Sequence, residues 1–104
     1  MAGWKIKAYN GTEPYVFISY AHKDTEIVQP IVADLRKLGF NIWFDEGIHS
    51  GARWKDVILS HLEACCGFIF FATENSLLSA ECRKEIYYAA ETLHKPFVNV
   101  VLGG

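Results

Sequence analysis

Cysteine is scarce in this sequence, and the cysteines that occur do not suit a structural framework. Among 104 residues there are three of them, Cys65, Cys66 and Cys82. An odd number with two adjacent members fits neither paired disulfides nor the ligand spacing of a zinc site. We expect reduced, partly buried thiols. The alternative is a reactive Cys82, because a helix N-terminus lowers the pKa of a thiol.

The sequence also lacks a surplus of basic residues and any long apolar run. Ten Lys and Arg against twelve Asp and Glu give a formal net charge of −2, and the basic residues are dispersed, so we expect no nucleic-acid partner. The longest apolar run, residues 67–72, is far short of the ~20 residues that cross a bilayer. The N-terminus has no apolar signal-peptide core. We therefore expect a cytoplasmic protein without membrane attachment.

Several common catalytic motifs are missing as well. The segment Ser19-Tyr20-Ala21-His22-Lys23, after the first apolar run, contains no glycine, which argues against a Rossmann dinucleotide site or a P-loop. A phosphoacceptor receiver domain would need an acidic pair there and an aspartate in place of Thr73-Glu74. The histidines show no metal-ligand spacing with one another or with the cysteines; they are His22, His49, His61 and His94. We expect no metal site.

What the sequence does contain is a regular alternation of strand and helix patterns. Apolar runs rich in β-formers predict strands over residues 15–19, 40–44, 67–72 and 97–102. Apolar residues at helical spacing predict helices over 27–38, 54–65 and 80–93. Asp24 is the expected N-cap of the first helix and Gly39 its stop, while Ser79 is the expected N-cap of the third. Pro30 predicts either a kink or a helix start near Gln29.

This alternation predicts the fold class and the place of a ligand site. Half of the residues are hydrophobic, 51%, as expected for one globular domain, and we divide the chain into a leader, residues 1–14, and a domain, residues 15–102. Strands alternating with helices predict an α/β fold with a parallel sheet covered on both faces. Ligands bind such sheets at the carboxyl ends of the strands. The loops at residues 19–24, 45–54 and 73–79 offer Tyr20, His22, Asp45, His49, Trp54, Thr73 and Ser76, with Glu85 in the helix behind the third loop.

Four segments occur in an order and at a spacing that resemble a known family. They are Val16-Phe17-Ile18-Ser19-Tyr20 with Asp24, then residues 39–45, then Gly51 with Trp54, and finally Ser76, Ser79, Cys82 and Glu85. Together they resemble the successive boxes of Toll/interleukin-1 receptor (TIR) domains, and the likeness extends over residues 15–102. The short loop at residues 45–48 resembles the compact prokaryotic branch of that family.

The resemblance implies a fold, an activity and a set of site residues. The fold would be a flavodoxin-like three-layer sandwich that assembles with other TIR domains as a homo-oligomer. The activity would be cleavage of the nicotinamide–ribose bond of NAD, to ADP-ribose or cyclic ADP-ribose, in immune or defence signalling, with NAD as substrate and no cofactor. The family's catalytic glutamate, three residues after the cysteine, resembles Glu85. Tyr20, His22, Asp45 and Trp54 resemble substrate-binding positions.

One carboxylate is sufficient for this chemistry, because nicotinamide leaves as a neutral group and needs no proton. The carboxylate would stabilise the oxocarbenium-like transition state, as the carboxylates of glycosidases do. Other roles remain open: Asp45 as a partner of its own loop backbone, Trp54 as a core or rim ring, and His22 as an ordinary loop residue. The alternative function is a non-catalytic adaptor in which the loop at residues 45–54 docks into neighbouring TIR domains.

The sequence departs from the family pattern in two places. Glu81 stands where many members have a tryptophan before the cysteine, and no fifth strand follows residues 97–102. By analogy the strand order is two, one, three, four, which leaves the fourth strand at an edge. An exposed apolar edge attracts a partner. We expect self-association there, or a strand supplied by residues 1–13.

Overall fold

The computed structural model describes residues 4–45 and 53–102, with side chains from residue 56 onward in the second range. Strands and helices alternate along these ranges. The strands are β1 (Val16–Ser19), β2 (Ile42–Phe44), β3 (Gly67–Ala72) and β4 (Phe97–Val101), and the helices are α1 (Thr25–Lys37), α2 (Arg53–Ala64), α3 (Glu74–Leu78) and α4 (Ala80–Tyr87). A 3₁₀ turn, His22–Asp24, precedes α1, and a π-helical turn, Tyr88–Thr92, continues α4. The predicted strands are all present.

The strands form one parallel sheet in the order β2-β1-β3-β4. The α/β class and the parallel sheet predicted from the sequence are therefore confirmed. Both neighbours of β1 belong to later parts of the chain, so the chain reverses its winding direction at β1 and β3. In such sheets this reversal opens a crevice at the carboxyl ends of the two strands.

A row of aromatic side chains crosses the sheet at one register position. Phe17 of β1 pairs with Trp43 of β2 and Phe68 of β3, and Phe68 pairs with Phe97 of β4. The Phe17 and Phe68 rings lie 5.6 Å apart and the Phe68 and Phe97 rings 5.5 Å apart, both nearly parallel. Cross-strand aromatic pairs add stabilisation beyond the burial of their area. The row therefore ties all four strands into one register.

Helices cover both faces of the sheet, which gives three layers. On one face Val28 and Val32 of α1 pack against Ile18, Ile42 and other inward residues of the strands. On the other face, Leu62 of α2, Cys65 directly after it, Cys82 of α4 and Ala89 of the π-helical turn pack against the aromatic row. Alternate strand residues point to opposite faces, so each strand is apolar on both sides.

Helix α1 begins directly after Asp24 and ends at the predicted Gly39 stop. Gly39 has a φ of +102°, and the N–H groups of Gly39 and Phe40 donate to the carbonyls of Arg36 and Leu35. These bonds form a Schellman cap, for which glycine is favoured because of its positive φ. Of the two alternatives for Pro30, a start near Gln29 is wrong, since the helix begins at Thr25, after the predicted N-cap position, and contains Pro30.

The segment after β3 contains a short helix that the apolar pattern did not predict. The Thr73 hydroxyl accepts a hydrogen bond from the Ser76 backbone N–H, and the Ser76 hydroxyl accepts one from the Thr73 N–H, a reciprocal capping box that starts α3. The predicted N-cap of the following helix is confirmed, because the Ser79 side chain accepts from the Cys82 N–H at 3.2 Å. Two consecutive caps thus position α4 against the end of β3.

The described part of the leader, residues 4–14, packs at the β2 edge of the sheet. Tyr9 donates its N–H to the Ile42 carbonyl at 2.8 Å, and Trp4 and Ile6 pack on the α1 face. The suggestion that the leader supplies a strand to β4 is therefore wrong for these residues, since β2 and β4 are opposite edges. Strand β4 keeps an exposed apolar surface, with Val98 at 55% and Val101 at 74% exposure.

Candidate active site

A cleft of about 660 Å³ lies at the carboxyl ends of β1 and β3, where the winding direction reverses. This volume is within the usual range for small-molecule sites, ~300–1,000 Å³. The polar and ionisable side chains that line the cleft come from the ends of β1 and β2 and from the two caps around α3 and α4. They are Tyr20, His22, Lys23, Asp45, Asn75, Ser79, Glu81, Cys82 and Glu85.

Glu85 is half-buried and lies on the side of α4 that faces β1. Its carboxylate oxygen Oε1 accepts a hydrogen bond from the Ser19 hydroxyl at 2.7 Å. Ser19 ends β1 and is 1% exposed. The last residue of the central strand thus contacts the carboxyl group directly.

The surroundings of Glu85 raise the pKa of its carboxyl group to about 7. Burial is the largest cause, since it disfavours the charged form, and the nearby carboxylates of Asp45 and Glu81 act in the same direction. The hydrogen bond from Ser19 and the charge of His22 oppose the rise in pKa. A carboxyl group that titrates near neutral pH in a cleft is typical of catalytic sites.

A second ionisable pair stands at the rim of the cleft. His22 Nε2 lies 3.1 Å from Asp45 Oδ2. The hydrogen bond to Asp45 raises the pKa of His22, although partial burial opposes this rise. The imidazole is therefore more readily protonated than a free histidine, and it lies beside the acidic groups of the cleft.

Tyr20 connects the cleft to the leader. Its hydroxyl donates to the backbone carbonyl of Asp45 and accepts a 2.8 Å hydrogen bond from Trp4 Nε1. The Trp4 ring stacks on Phe44 at a centroid distance of 3.8 Å. The Tyr20 hydroxyl thus links the backbone of Asp45 to Trp4, while Tyr20 also lines the cleft.

Asp24 links two of the loops at this edge of the sheet. It occupies the predicted N-cap position of α1, but its side chain makes no capping hydrogen bond there. Its carboxylate instead accepts hydrogen bonds from Thr73 Oγ1 and, at 2.8 Å, from Asn75 Nδ2. Asp24 is 5% exposed. The buried carboxylate thereby joins the loop after β1 to the loop after β3.

The structure brings together four of the five residues that the sequence predicts for the site. Tyr20, His22, Asp45 and Glu85 line one cleft. Trp54 lies in the first turn of α2, but its side chain is outside the described residues, and so are His49 and the loop at residues 46–52. Sequence reasoning did not assign a role to Ser19, and the one available signal was its place at the end of the central strand.

The thiols and histidines add no further reactive centre among the residues that the structure describes. Cys82 is buried, and burial raises the pKa of its thiol, which contradicts the reactive-thiol alternative. The described histidines, cysteines and acidic residues form no group of three or more that could hold a metal ion. His61 stacks on Trp43 at 4.1 Å, which is a packing role. Within the described ranges, no helix is long and apolar enough to cross a membrane.

Solved structures with the same fold are all from TIR proteins. The TIR domain of the Toll-related receptor TRR-2 from Hydra magnipapillata has a TM-score of 0.68 and 19% identity, over 81% of this chain and 66% of that one. The TIR domains of the activated Roq1 resistosome, which directly recognises the pathogen effector XopQ, have a TM-score of 0.71 and 18% identity, over 86% and 57%. A metazoan TIR-STING receptor from C. gigas has a TM-score of 0.70 and 24% identity, over 94% and 35%. The chain thus spans less than two thirds of the first two structures it matches, 66% and 57%.

Comparison at the sequence level leads to the same family. No curated protein matches the sequence. A family model described as TIR domain matches residues 16–103, which covers every strand, every helix and all the ionisable groups of the cleft. The chain is therefore a member of the TIR domain family.

Proposed function

We propose that this TIR domain is an NAD glycohydrolase that cleaves the bond between nicotinamide and ribose, with Glu85 as its catalytic residue. The observation that carries the proposal is the half-buried Glu85 carboxyl group, held by Ser19 at 2.7 Å in the cleft at the carboxyl ends of β1 and β3. This is where a parallel sheet binds its ligands. The other ionisable groups of the cleft, His22 and Asp45, surround the same space.

The chemistry requires Glu85 in its charged form. The bond between C1′ of the ribose and the pyridinium nitrogen breaks, and its electron pair neutralises nicotinamide. Positive charge develops on the ribose, and a carboxylate beside it lowers the energy of that transition state. Water then adds to C1′ and gives ADP-ribose, while its proton passes to Glu85, whose pKa near 7 allows it to accept and release a proton. Attack by an adenine nitrogen in place of water would give cyclic ADP-ribose.

Tyr20, His22, Asp45 and Trp54 are the proposed substrate-binding residues. His22 and Asp45 offer a paired donor and acceptor at the rim, suited to ribose hydroxyls, and the ring of Tyr20 offers an apolar surface. Trp54, at the start of α2, would stack on a flat ring of the substrate. We further propose that activity requires self-assembly and serves immune or defence signalling, since one similar structure contains TIR domains within an activated resistosome.

Nicotinamide release tests the proposal. The full chain is incubated with NAD at high protein concentration, with and without a crowding agent, beside Glu85→Gln and the matched control Glu91→Gln, an exposed glutamate in the turn that continues α4. We expect release by wild type and Glu91→Gln, and a loss of at least ~100-fold in Glu85→Gln. Full activity of Glu85→Gln would refute the assignment of Glu85.

The second candidate is a non-catalytic adaptor that binds other TIR domains. Glu81 favours it, because this exposed carboxylate lines the cleft at a position where the family pattern has an aromatic ring. An adaptor would assemble as its concentration rises but release no nicotinamide under any of the conditions above. The same assay, with the assembly state followed by light scattering, therefore separates the two functions.

A further inference from the structure

We propose that Ser19 is a positioning residue for Glu85, whose hydroxyl orients the carboxyl group and favours its ionised form; this inference rests on the proposed function of Glu85. In this proposal Ser19 itself does not contact the substrate. Its effect on catalysis passes through the 2.7 Å hydrogen bond to Oε1.

Ser19 lies at a buried position of β1, where its hydroxyl group needs a hydrogen-bond partner. The strand reads Val-Phe-Ile-Ser, and its last three residues are buried. A hydroxyl that is 1% exposed is costly in such an environment unless it is hydrogen-bonded. Ser19 shares a face with Phe17, two residues earlier, and Phe17 packs into the cluster that contains the α4 residue Cys82. The hydroxyl therefore points to the helix that carries Glu85.

The same contact leaves one carboxylate oxygen for the cleft. Oε1 accepts the hydrogen bond from Ser19, and this is the bond that the described side chains, residues 4–45 and 56–102, show for the Glu85 carboxyl group. Glu85 lines the cleft, so Oε2 is the oxygen that can face the ribose. A hydrogen bond from one side thus restricts the rotation of the carboxyl group, and catalytic groups need this kind of preorganisation.

The charged groups around Glu85 make Ser19 important for its ionisation. Burial raises the pKa of Glu85, and the carboxylates of Asp45 and Glu81 raise it further. Two groups lower it, the Ser19 hydroxyl and the imidazole of His22. The thiol of Cys82 also faces this region; burial raises its pKa, whereas its hydrogen bonds with Ser79 and Ser19 act in the opposite direction. Without Ser19, His22 alone would favour the carboxylate.

The first test measures the ionisation of Glu85 without relying on activity. The full chain is labelled with ¹³C at glutamate side-chain carboxyls and observed by NMR. The Glu85 signal is assigned by its loss in Glu85→Gln. Its chemical shift is then followed as a function of pH in wild type, Ser19→Ala and Ser60→Ala. Ser60 is the matched control, because its hydroxyl donates to the backbone carbonyl of Asp56 on the exposed side of α2. We expect the midpoint of Glu85 to rise by about one pH unit in Ser19→Ala only. An unchanged midpoint would overturn the proposal.

The second test follows nicotinamide release as a function of pH. In Ser19→Ala we expect kcat at pH 7 to fall about 10-fold with little change in KM, and the pH profile to move to higher pH with the NMR midpoint. A structural defect would lower the rate equally at all pH values and would count against positioning. Ser19→Cys, which is slightly larger than serine and donates only weakly, should titrate between wild type and alanine, and it replaces Ser19→Ala if that variant does not fold.

The outcomes distinguish failure of this inference from failure of the proposed function. If wild type releases no nicotinamide but Ser19→Ala still raises the Glu85 midpoint, the glycohydrolase proposal fails and the control of Glu85 by Ser19 stands. If wild type is active and Ser19→Ala leaves the midpoint and the pH profile unchanged, the positioning role fails and the function stands.

Discussion

Glu85 is a carboxyl group placed where ionisation is costly. Its pKa of about 7, against a normal value of 4.5, results chiefly from burial. The unfolded chain releases this proton at a lower pH than the folded chain does, so the folded state loses stability as the pH rises from about 4.5 to 7 and stays lower above that range. A carboxyl group with a raised pKa lowers the stability of the folded state, and such groups are found mainly at functional sites.

Replacing Glu85 with glutamine should therefore stabilise the protein at alkaline pH. The interval between 4.5 and about 7, at 1.36 kcal/mol per pH unit, corresponds to at most about 3 kcal/mol. We expect the free energy of unfolding of Glu85→Gln in urea to exceed that of wild type at pH 8 and to match it near pH 4. Equal stabilities at pH 8, or a variant less stable there, would contradict a buried carboxylate at this position.

The same titration predicts the pH dependence of catalysis. Glu85 must be deprotonated to stabilise positive charge, so nicotinamide release should fall as the pH drops below about 7 and reach a plateau above it. Initial rates at saturating NAD between pH 5 and 9 measure this. The variant His22→Asn removes a charge that lowers the pKa of Glu85, so its profile should move to higher pH. A rate that is highest at pH 5 would exclude an ionised Glu85 as the catalytic form.

At the scale of elements, the cleft depends on one buried contact between two loops. The Asp24 carboxylate accepts hydrogen bonds from Thr73, which caps α3, and from Asn75, the second residue of α3. Since α4 follows α3 after Ser79 alone, this contact also fixes the start of the helix that carries Glu85. Hydrogen bonds to a charged group that is removed from solvent are among the stronger ones.

Removal of the Asp24 carboxylate should destabilise the fold. We expect Asp24→Ala to lower the free energy of unfolding by about 2–3 kcal/mol, because two donors lose a charged acceptor. Asp34→Ala is the control, an exposed aspartate on α1, and it should change stability by less than ~0.5 kcal/mol. Urea unfolding followed by tryptophan fluorescence compares them. If both variants lose the same amount, the contact does not hold the loops.

At the scale of the whole molecule, the two edges of the sheet differ. The β2 edge is bordered by the leader through the Tyr9–Ile42 hydrogen bond, whereas β4 has exposed apolar residues on both of its faces, Phe97, Val98 and Val101. An edge strand with unpaired backbone groups and apolar side chains is a template for pairing with another chain. The described structure thus offers one edge for association.

A charge on β4 should reduce self-association. Val101 and Leu38 are both 74% exposed, but Leu38 follows α1 at some distance from β4 along the chain. We expect wild type to sediment as a concentration-dependent oligomer, Val101→Lys to sediment mainly as a monomer, and the control Leu38→Lys to resemble wild type. Sedimentation velocity at several concentrations measures this. A wild-type chain that stays monomeric throughout would contradict association through β4.

Local patterns in the sequence were enough to determine the strands and the three longer helices, although not α3, because the period of apolar residues and the chemistry of caps are local properties. The four strands, the Gly39 stop and the Ser79 cap could be read directly, and the ordered boxes indicated the TIR family. Contacts between distant residues were decided by the tertiary structure. Ser19 and Glu85 are 66 positions apart and Asp24 and Thr73 are 49 apart, and the partner of such a group depends on sheet order and on how helices cross it, which no local period encodes.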